Sequence, residues 1–196
     1  GWLEDRKGEK EKASACFSKA SSGSTDYVFP FRLETLKALE TALKYNPGDS
    51  RAYYYMGNIL FDRQPDKAIK MWENAVAHDP SFAIAHRNLG WGYYRHSGDG
   101  VKAVSSYERA IELKKDEALY YEELDALYEM SNSPVEKRYR LFEGNNETVS
   151  SRDDAFARQI EVLTLAGRPD LAVEYLKGRN FSYREGSSRV RDIIID

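Results

Sequence analysis

Apolar residues recur along most of this chain at intervals of three and four, the spacing that gives an α-helix one buried stripe. Leu36, Leu39 and Leu43 mark such a stripe between Leu33 and Lys44. Met56 with Leu60, Leu89 with Tyr93, and Tyr121, Leu124 and Tyr128 mark three more. Short polar stretches, Arg63-Gln64-Pro65-Asp66 and Ser97-Gly98-Asp99-Gly100, break the pattern where turns belong. The spacing predicts an all-α chain, roughly two-thirds helical against the usual third, with no sheet outside the tail.

The stripes repeat. Ala52-Tyr53-Tyr54-Tyr55-Met56-Gly57-Asn58-Ile59-Leu60 aligns with Ala85-His86-Arg87-Asn88-Leu89-Gly90-Trp91-Gly92-Tyr93, and their glycines stand 33 residues apart. Ala68, Trp72 and Ala75 then share their +4, +3 spacing with Ala103, Tyr107 and Ala110, which lie 35 residues further on. Pro47 and Pro80 close successive units, again 33 apart. Each unit is a pair of helices of about 13 residues, a helical hairpin with a period of 33 to 35.

This pattern resembles the tetratricopeptide repeat. The resemblance implies that Gly57 and Gly90 mark a close crossing of the first helix on the second. Ala68 and Ala103 take the facing small site, Trp72 and Tyr107 fill the space between hairpins, and Pro47 and Pro80 stop the second helix. The expected fold is an all-α, tetratricopeptide-like α-α superhelix, a right-handed solenoid of five to six full or partial repeats. These fall near residues 1–20, 31–47, 50–80, 83–115, 118–145 and 153–178, with a tail at 179–196. Gly8, Ala13, Phe17 and Ala20 carry the leading repeat, preceded by the stump of a first helix. Between Phe17 and Trp72 lie 55 residues where two periods need about 68, so about one helix is missing there. Asp125 replaces the glycine of the later repeat, whose second helix, Pro134 to Phe142, is short.

A narrower resemblance rests on Asp26-Tyr27-Val28-Phe29-Pro30-Phe31-Arg32, Tyr54-Tyr55-Met56-Gly57-Asn58-Ile59-Leu60-Phe61-Asp62 and Tyr121-Glu122-Glu123-Leu124-Asp125. These strings are similar to a family of large bacterial proteins in which a galactose-mutarotase-like β-sandwich of unknown function precedes C-terminal tetratricopeptide repeats. Arg179-Asn180-Phe181-Ser182-Tyr183-Arg184-Glu185-Gly186 resembles that family's tail, although Ser182 and Arg184 replace a usual His and Trp. The resemblance implies a helical appendage to a carbohydrate-related protein. An opening inside a helix and an apolar end at Ile193-Ile194-Ile195 lead to the same expectation of a longer parent, since arrays normally end in polar caps.

Composition narrows the chemistry. The 196 residues carry 29 Lys and Arg against 32 Asp and Glu, a net charge of −3, which is not the footprint of a nucleic-acid binder. The longest apolar run is far too short to span a membrane. One cysteine, Cys16, forms no internal disulfide, and three histidines with one thiol are too few for a rich metal site. No cofactor is expected. His78, His86 and His96 are scattered, and His86 falls at the packing position held by Tyr53 one repeat earlier. Glu122-Glu123 and Asp153-Asp154 are sequence neighbours, about 100° apart on a helix and poorly placed as an acid/base pair. Asp153 and Asp154 read better as the negative start of a helix. Catalysis is therefore not expected.

What remains is the groove lined by first helices. Arg51, Tyr54, Asn58, Phe61, Ile84, Arg87, Trp91, Tyr94, Leu119, Glu122 and Ala126 recur at helical spacing opposite the core stripe. Aromatics at such spacing are more often core than site. Here a core stripe is already assigned, which leaves Tyr54, Trp91 and Tyr94 in surplus. Tyr54, Asn58, Phe61, Arg87, Trp91, Tyr94 and Arg95 are the expected partner-binding residues. The expected partner is a protein or peptide segment, or a sister domain in cis. Carbohydrate reached through the parent protein is the alternative, and a spacer without ligand is a third reading.

Overall fold

The structure, a computed structural model, describes residues 1–25, 28–179 and 181. Tyr27, Tyr183 and the rest of the tail beyond Phe181 lie outside the described residues. Helix accounts for 73% of what is described, with no strand among those residues. The order is α1 (Trp2–Arg6), α2 (Lys10–Ser21), α3 (Glu34–Tyr45), α4 (Ser50–Leu60), α5 (Pro65–His78) and α6 (Ala83–Gly92). A π-helical segment (Tyr93–Ser97) continues α6. Then come α7 (Gly100–Leu113), α8 (Ala118–Met130), α9 (Val135–Phe142), α10 (Asn146–Ser150), α11 (Asp153–Leu165) and α12 (Pro169–Leu176). Contacts divide the chain into two compact units between Ser106 and Tyr107, inside α7.

In the first unit the hairpin α4–α5 sets the geometry. Asp49 starts α4 by accepting the Ala52 N–H at 3.0 Å, and Pro65 opens α5 where no N–H is needed. The residue before each stop proline is held extended: Asn46 has φ −137°, ψ 90° and Asp79 has φ −135°, ψ 88°. The two repeats thus end in the same backbone shape. At the crossing, a Cβ placed on Gly57 would come within 2.8 Å of three indole atoms of Trp72. Only glycine lets the indole lie against α4, where its Nε1 donates to the Tyr54 carbonyl at 3.2 Å. Trp72, Ile69, Leu89 and Tyr54 are buried together, as are Phe17, Ala13, Ala42 and Ala52 at the start of the chain.

Of the stripe and inter-hairpin residues expected in the core, Met56, Leu60, Trp72, Leu89, Tyr107, Leu124 and Tyr128 are buried. Tyr93 is only half-buried. The π segment begins at this residue, its hydroxyl donates to Glu73 Oε1 at 2.8 Å, and Lys102 Nζ sits 5.4 Å from the ring centre. Burial and Glu73 push that hydroxyl's pKa up. Gly98, at φ 65°, then turns the chain into α7 in a conformation that costs other residues strain.

The second unit pairs α8 with α9 and α11 with α12, and α10 fills the connection. Tyr121, Phe142, Val149, Phe156 and Val162 form its apolar centre. Phe181 packs back on Phe156, ring centres 5.9 Å apart, with the Arg179 guanidinium 4.1 Å from the Phe156 ring. Asp125, at the place where the earlier repeats have glycine, is fully buried. Arg138 lies 13 residues on, as Ala103 lies from Gly90. The small pair has become a charged one. Arg138 donates to both carboxylate oxygens of Asp125 at 2.8 and 2.9 Å, and Arg158 adds a third bond at 2.9 Å. Hydrogen bonding to Asp125 holds the Arg138 pKa above its ordinary value.

Two substitutions test these contacts by urea denaturation. Gly57→Ala adds about 1 kcal/mol of helix propensity yet should lower net stability, because overpacking against the indole costs about 1–3 kcal/mol. Asp125→Ala removes the fully buried carboxylate shared by two guanidinium groups, leaving Arg158 with Glu129 at 3.1 Å and Arg138 with the more distant Glu129 and Glu161 at 3.9 Å, and should cost about 3 kcal/mol, while Asp125→Leu combined with Arg138→Met and Arg158→Leu should recover most of it.

Candidate functional site

The seven expected site residues lie on α4, α6 and the segments that follow each, all within the first unit. They fall into two layers. Tyr54 is 5% exposed, its ring 5.0 Å from that of Phe82 and 5.2 Å from that of Tyr55. It is a core residue here, contrary to its expected place on the surface, because the entry to α6 folds Phe82 over it. Burial raises the pKa of its hydroxyl, which bonds within the pair Asn58 and Asn88. Asn58 is half-buried and structural: its Oδ1 accepts from Trp72 Nε1 at 3.0 Å and from Asn88 Nδ2 at 2.9 Å. Phe61 is half-buried with its ring 5.1 Å from that of Trp72. Arg51 is also committed, donating to the carbonyls of Gly23 at 2.7 Å and Ser21 at 2.8 Å, so it closes the C-terminus of α2.

The outer layer comes from α6 and the π segment. Trp91 is 39% exposed, Arg95 is exposed, and Arg87 and Tyr94 are half-buried. The Trp91 and Tyr94 rings are 6.4 Å apart, and Arg87 Nη1 donates to Asn88 Oδ1 at 3.2 Å. Trp91 faces outward for a geometric reason. Its neighbours Gly90 and Gly92 are both buried, and residues one step either side point about 100° away, so their common direction lies opposite to it. A Cβ on Gly92 would stand 3.0 Å from Ile69 and 3.1 Å from Trp72, which shows how closely that side meets α5.

Two features escape the sequence pattern. Asn88, 9% exposed, connects Asn58 to Arg87, and nothing in its repeat position marks it as polar core. The π segment is the other: its extra residues appear in the sequence only as the difference between the 33- and 35-residue spacings. His86 bonds the Pro80 carbonyl at 3.1 Å and His96 pairs with Asp66 at 2.9 Å. Among the described residues no group of three or more His, Cys, Asp or Glu is placed to hold a metal, and no helix is long and apolar enough to cross a membrane.

These hairpins, with glycine against indole at the crossing, define a helical repeat protein of the tetratricopeptide type. Residues 60–118 match the tetratricopeptide repeat family. Over 112 residues the chain is 36% identical to Protein O-mannosyl-transferase TMTC1 of Mus musculus, a match that covers 55% of this chain and 12% of that protein. The chain therefore corresponds to a small part of this relative's length. Among solved structures, MamA is similar with a TM-score of 0.59 and 20% identity, covering 82% of this chain and 86% of MamA. YrrB, described as a TPR protein with an unusual peptide-binding site, gives 0.61 and 18%, covering 100% and 93%. At these identities the likeness is one of fold.

The two layers make opposite predictions for single substitutions. Asn58→Ala leaves the Asn88 amide without this acceptor and the Trp72 N–H with the Tyr54 carbonyl alone, and should cost about 1–3 kcal/mol in a denaturant titration. Arg95→Ala, at an exposed position, should change stability by no more than about 0.5 kcal/mol.

Proposed function

We propose that this chain is a non-catalytic interaction module. Its first-helix face in the first unit, around Arg87, Trp91, Tyr94 and Arg95, binds a segment of another polypeptide or of a sister domain. The observation that carries the reading is Trp91, a large aromatic left 39% exposed near Tyr94, with Arg87 and Arg95 four residues to either side in the sequence. Trp, Tyr and Arg are the side chains that dominate interface energetics. Scaffolding is the common use of such arrays, whose units offer stacked surfaces and no reactive geometry. The fold likeness to YrrB, a protein described by its peptide-binding site, supports a peptide as the kind of ligand. Tyr54, Asn58 and Phe61 serve this site from beneath, by holding α6 against α4 and α5.

A second reading concerns the parent protein. The identity to an O-mannosyl-transferase, with the resemblance to repeats attached to a mutarotase-like β-sandwich, favours an accessory part of a carbohydrate-related multidomain protein. The same face would then dock the sister domain or help hold a glycan.

A random peptide library displayed on phage and selected on the immobilised protein tests the first reading. Peptides so obtained should lose about 30-fold or more in affinity with Arg87→Ala/Trp91→Ala, since each hot spot is worth about 2 kcal/mol. Val101→Ala, at an exposed residue on α7, should leave binding unchanged. Both variants should melt close to the parent. Undiminished binding by the double variant overturns the placement.

A further inference from the structure

We propose that this chain binds a second copy of itself: the strap at residues 28–33 of one copy inserts Phe29 and Phe31 into a cleft between α7 and α9 of another. Both halves of the contact are carried by this one chain, and neither involves the residues around Trp91.

The strap joins α2 to α3, where the repeat period leaves out about one helix. Residues 28–32 have no regular secondary structure. Phe29 is 78% exposed and Phe31 81%, and Val28 and Leu33 are exposed beside them. Four apolar side chains held in water within six residues form the kind of patch that marks an interaction site. Pro30 restricts Phe29 to extended backbone, so less conformational freedom is lost when the strap docks. Arg32 is exposed with its guanidinium 5.6 Å from the centre of the Phe31 ring, so a cation accompanies the second aromatic.

The receiving cleft lies wholly in the second unit and has a volume of about 710 Å³. Its walls are second helices, and Ile111, Leu124, Tyr128 and Leu141 supply its apolar lining. That volume falls among clefts that enclose bulky apolar groups, roughly 300–1,000 Å³. Three carboxylates, of Glu108, Glu112 and Glu136, stand at the cleft with two cations, Lys137 and Arg140. Glu108 is committed, accepting from the Tyr128 hydroxyl at 2.7 Å with Lys137 Nζ 3.5 Å away. Glu112 pairs with Arg109 at 2.9 Å and Glu136 with Arg140 at 3.6 Å, and both of these pairs are exposed. Exposed pairs contribute little, so either carboxylate turns to an incoming Arg32 at small cost. The rings thus meet an apolar floor while the arginine meets an acidic rim. Strap and cleft are unlike surfaces, so the contact is heterologous.

Sedimentation velocity of the intact chain from about 5 to about 500 µM tests the contact. The mean mass should rise with concentration, with a Kd of about 100 µM or tighter for so small an interface. A strap variant, Phe29→Ser/Phe31→Ser, should associate about thirtyfold or more weakly. A rim variant, Glu112→Arg/Glu136→Arg at two exposed positions, should associate about tenfold more weakly by repelling Arg32. Val101→Ser, which removes an 82% exposed apolar side chain elsewhere, should change nothing. The strap variant keeps its cleft and the rim variant keeps its strap, so mixing them should form one-to-one dimers at a concentration where each alone is monomeric. A parent chain that is monomeric throughout, undiminished association in either variant, or no dimer on mixing overturns the proposal.

Discussion

The close crossing of first helix on second is the constraint from which this molecule is built. At Gly57 the space that a side chain would take is filled by the Trp72 indole, and that indole is in turn fixed by the Tyr54 carbonyl and the Asn58 side chain. Burial of a large aromatic is worth several kcal/mol only where its N–H also finds an acceptor, and here one contact satisfies both demands. Asn58 passes the arrangement to Asn88 on the following first helix. The hairpin and its successor are therefore joined by hydrogen bonds as well as by apolar packing.

Where the glycine is lost, the solution changes in kind. Asp125 and Arg138 stand where small residues met, and their bidentate pair, with Arg158 from α11, brings three elements of the second unit to one point. A buried carboxylate is tolerated because three N–H donors replace its water, and such a pair is directional where apolar packing is not. The short α9 buries only Arg138, Tyr139 and Phe142, so ionic bonds make up part of what a longer helix would bury. The later repeat is thus altered in its chemistry while its hairpin is retained.

Much of this was legible in the sequence. Helix stripes, turn positions and the glycine, alanine and aromatic series follow from spacing alone, since they depend on residues within one hairpin. Tyr54 shows the limit. A helical wheel places it opposite Met56 and Leu60, but its burial is decided by Phe82, 28 residues away, and no periodicity reports that. Asp125 was visible as a missing glycine, yet its partner Arg158 arrives from another hairpin. The spacing mismatch of 33 against 35 was visible too. Two inserted residues fit equally well in a longer turn or in a widened helix, and only the backbone shows the π segment.

The same constraint that fixes the fold also presents the proposed site. Helix α6 needs Gly90 and Gly92 on the sides it buries, and the residue between them is thereby directed away from the core. Any side chain at position 91 would be offered outward; the chain places an indole there. A tryptophan in that place keeps 39% of its surface in water within the chain, and that part is what the proposed partner would cover. The widened π segment that follows brings Tyr94 within 6.4 Å and carries Arg95 on its exposed side. Packing and the proposed recognition are therefore assigned to alternate residues of one helix turn. On the proposed reading, that separation makes the inner asparagines answer substitution through folding and the outer tryptophan through binding.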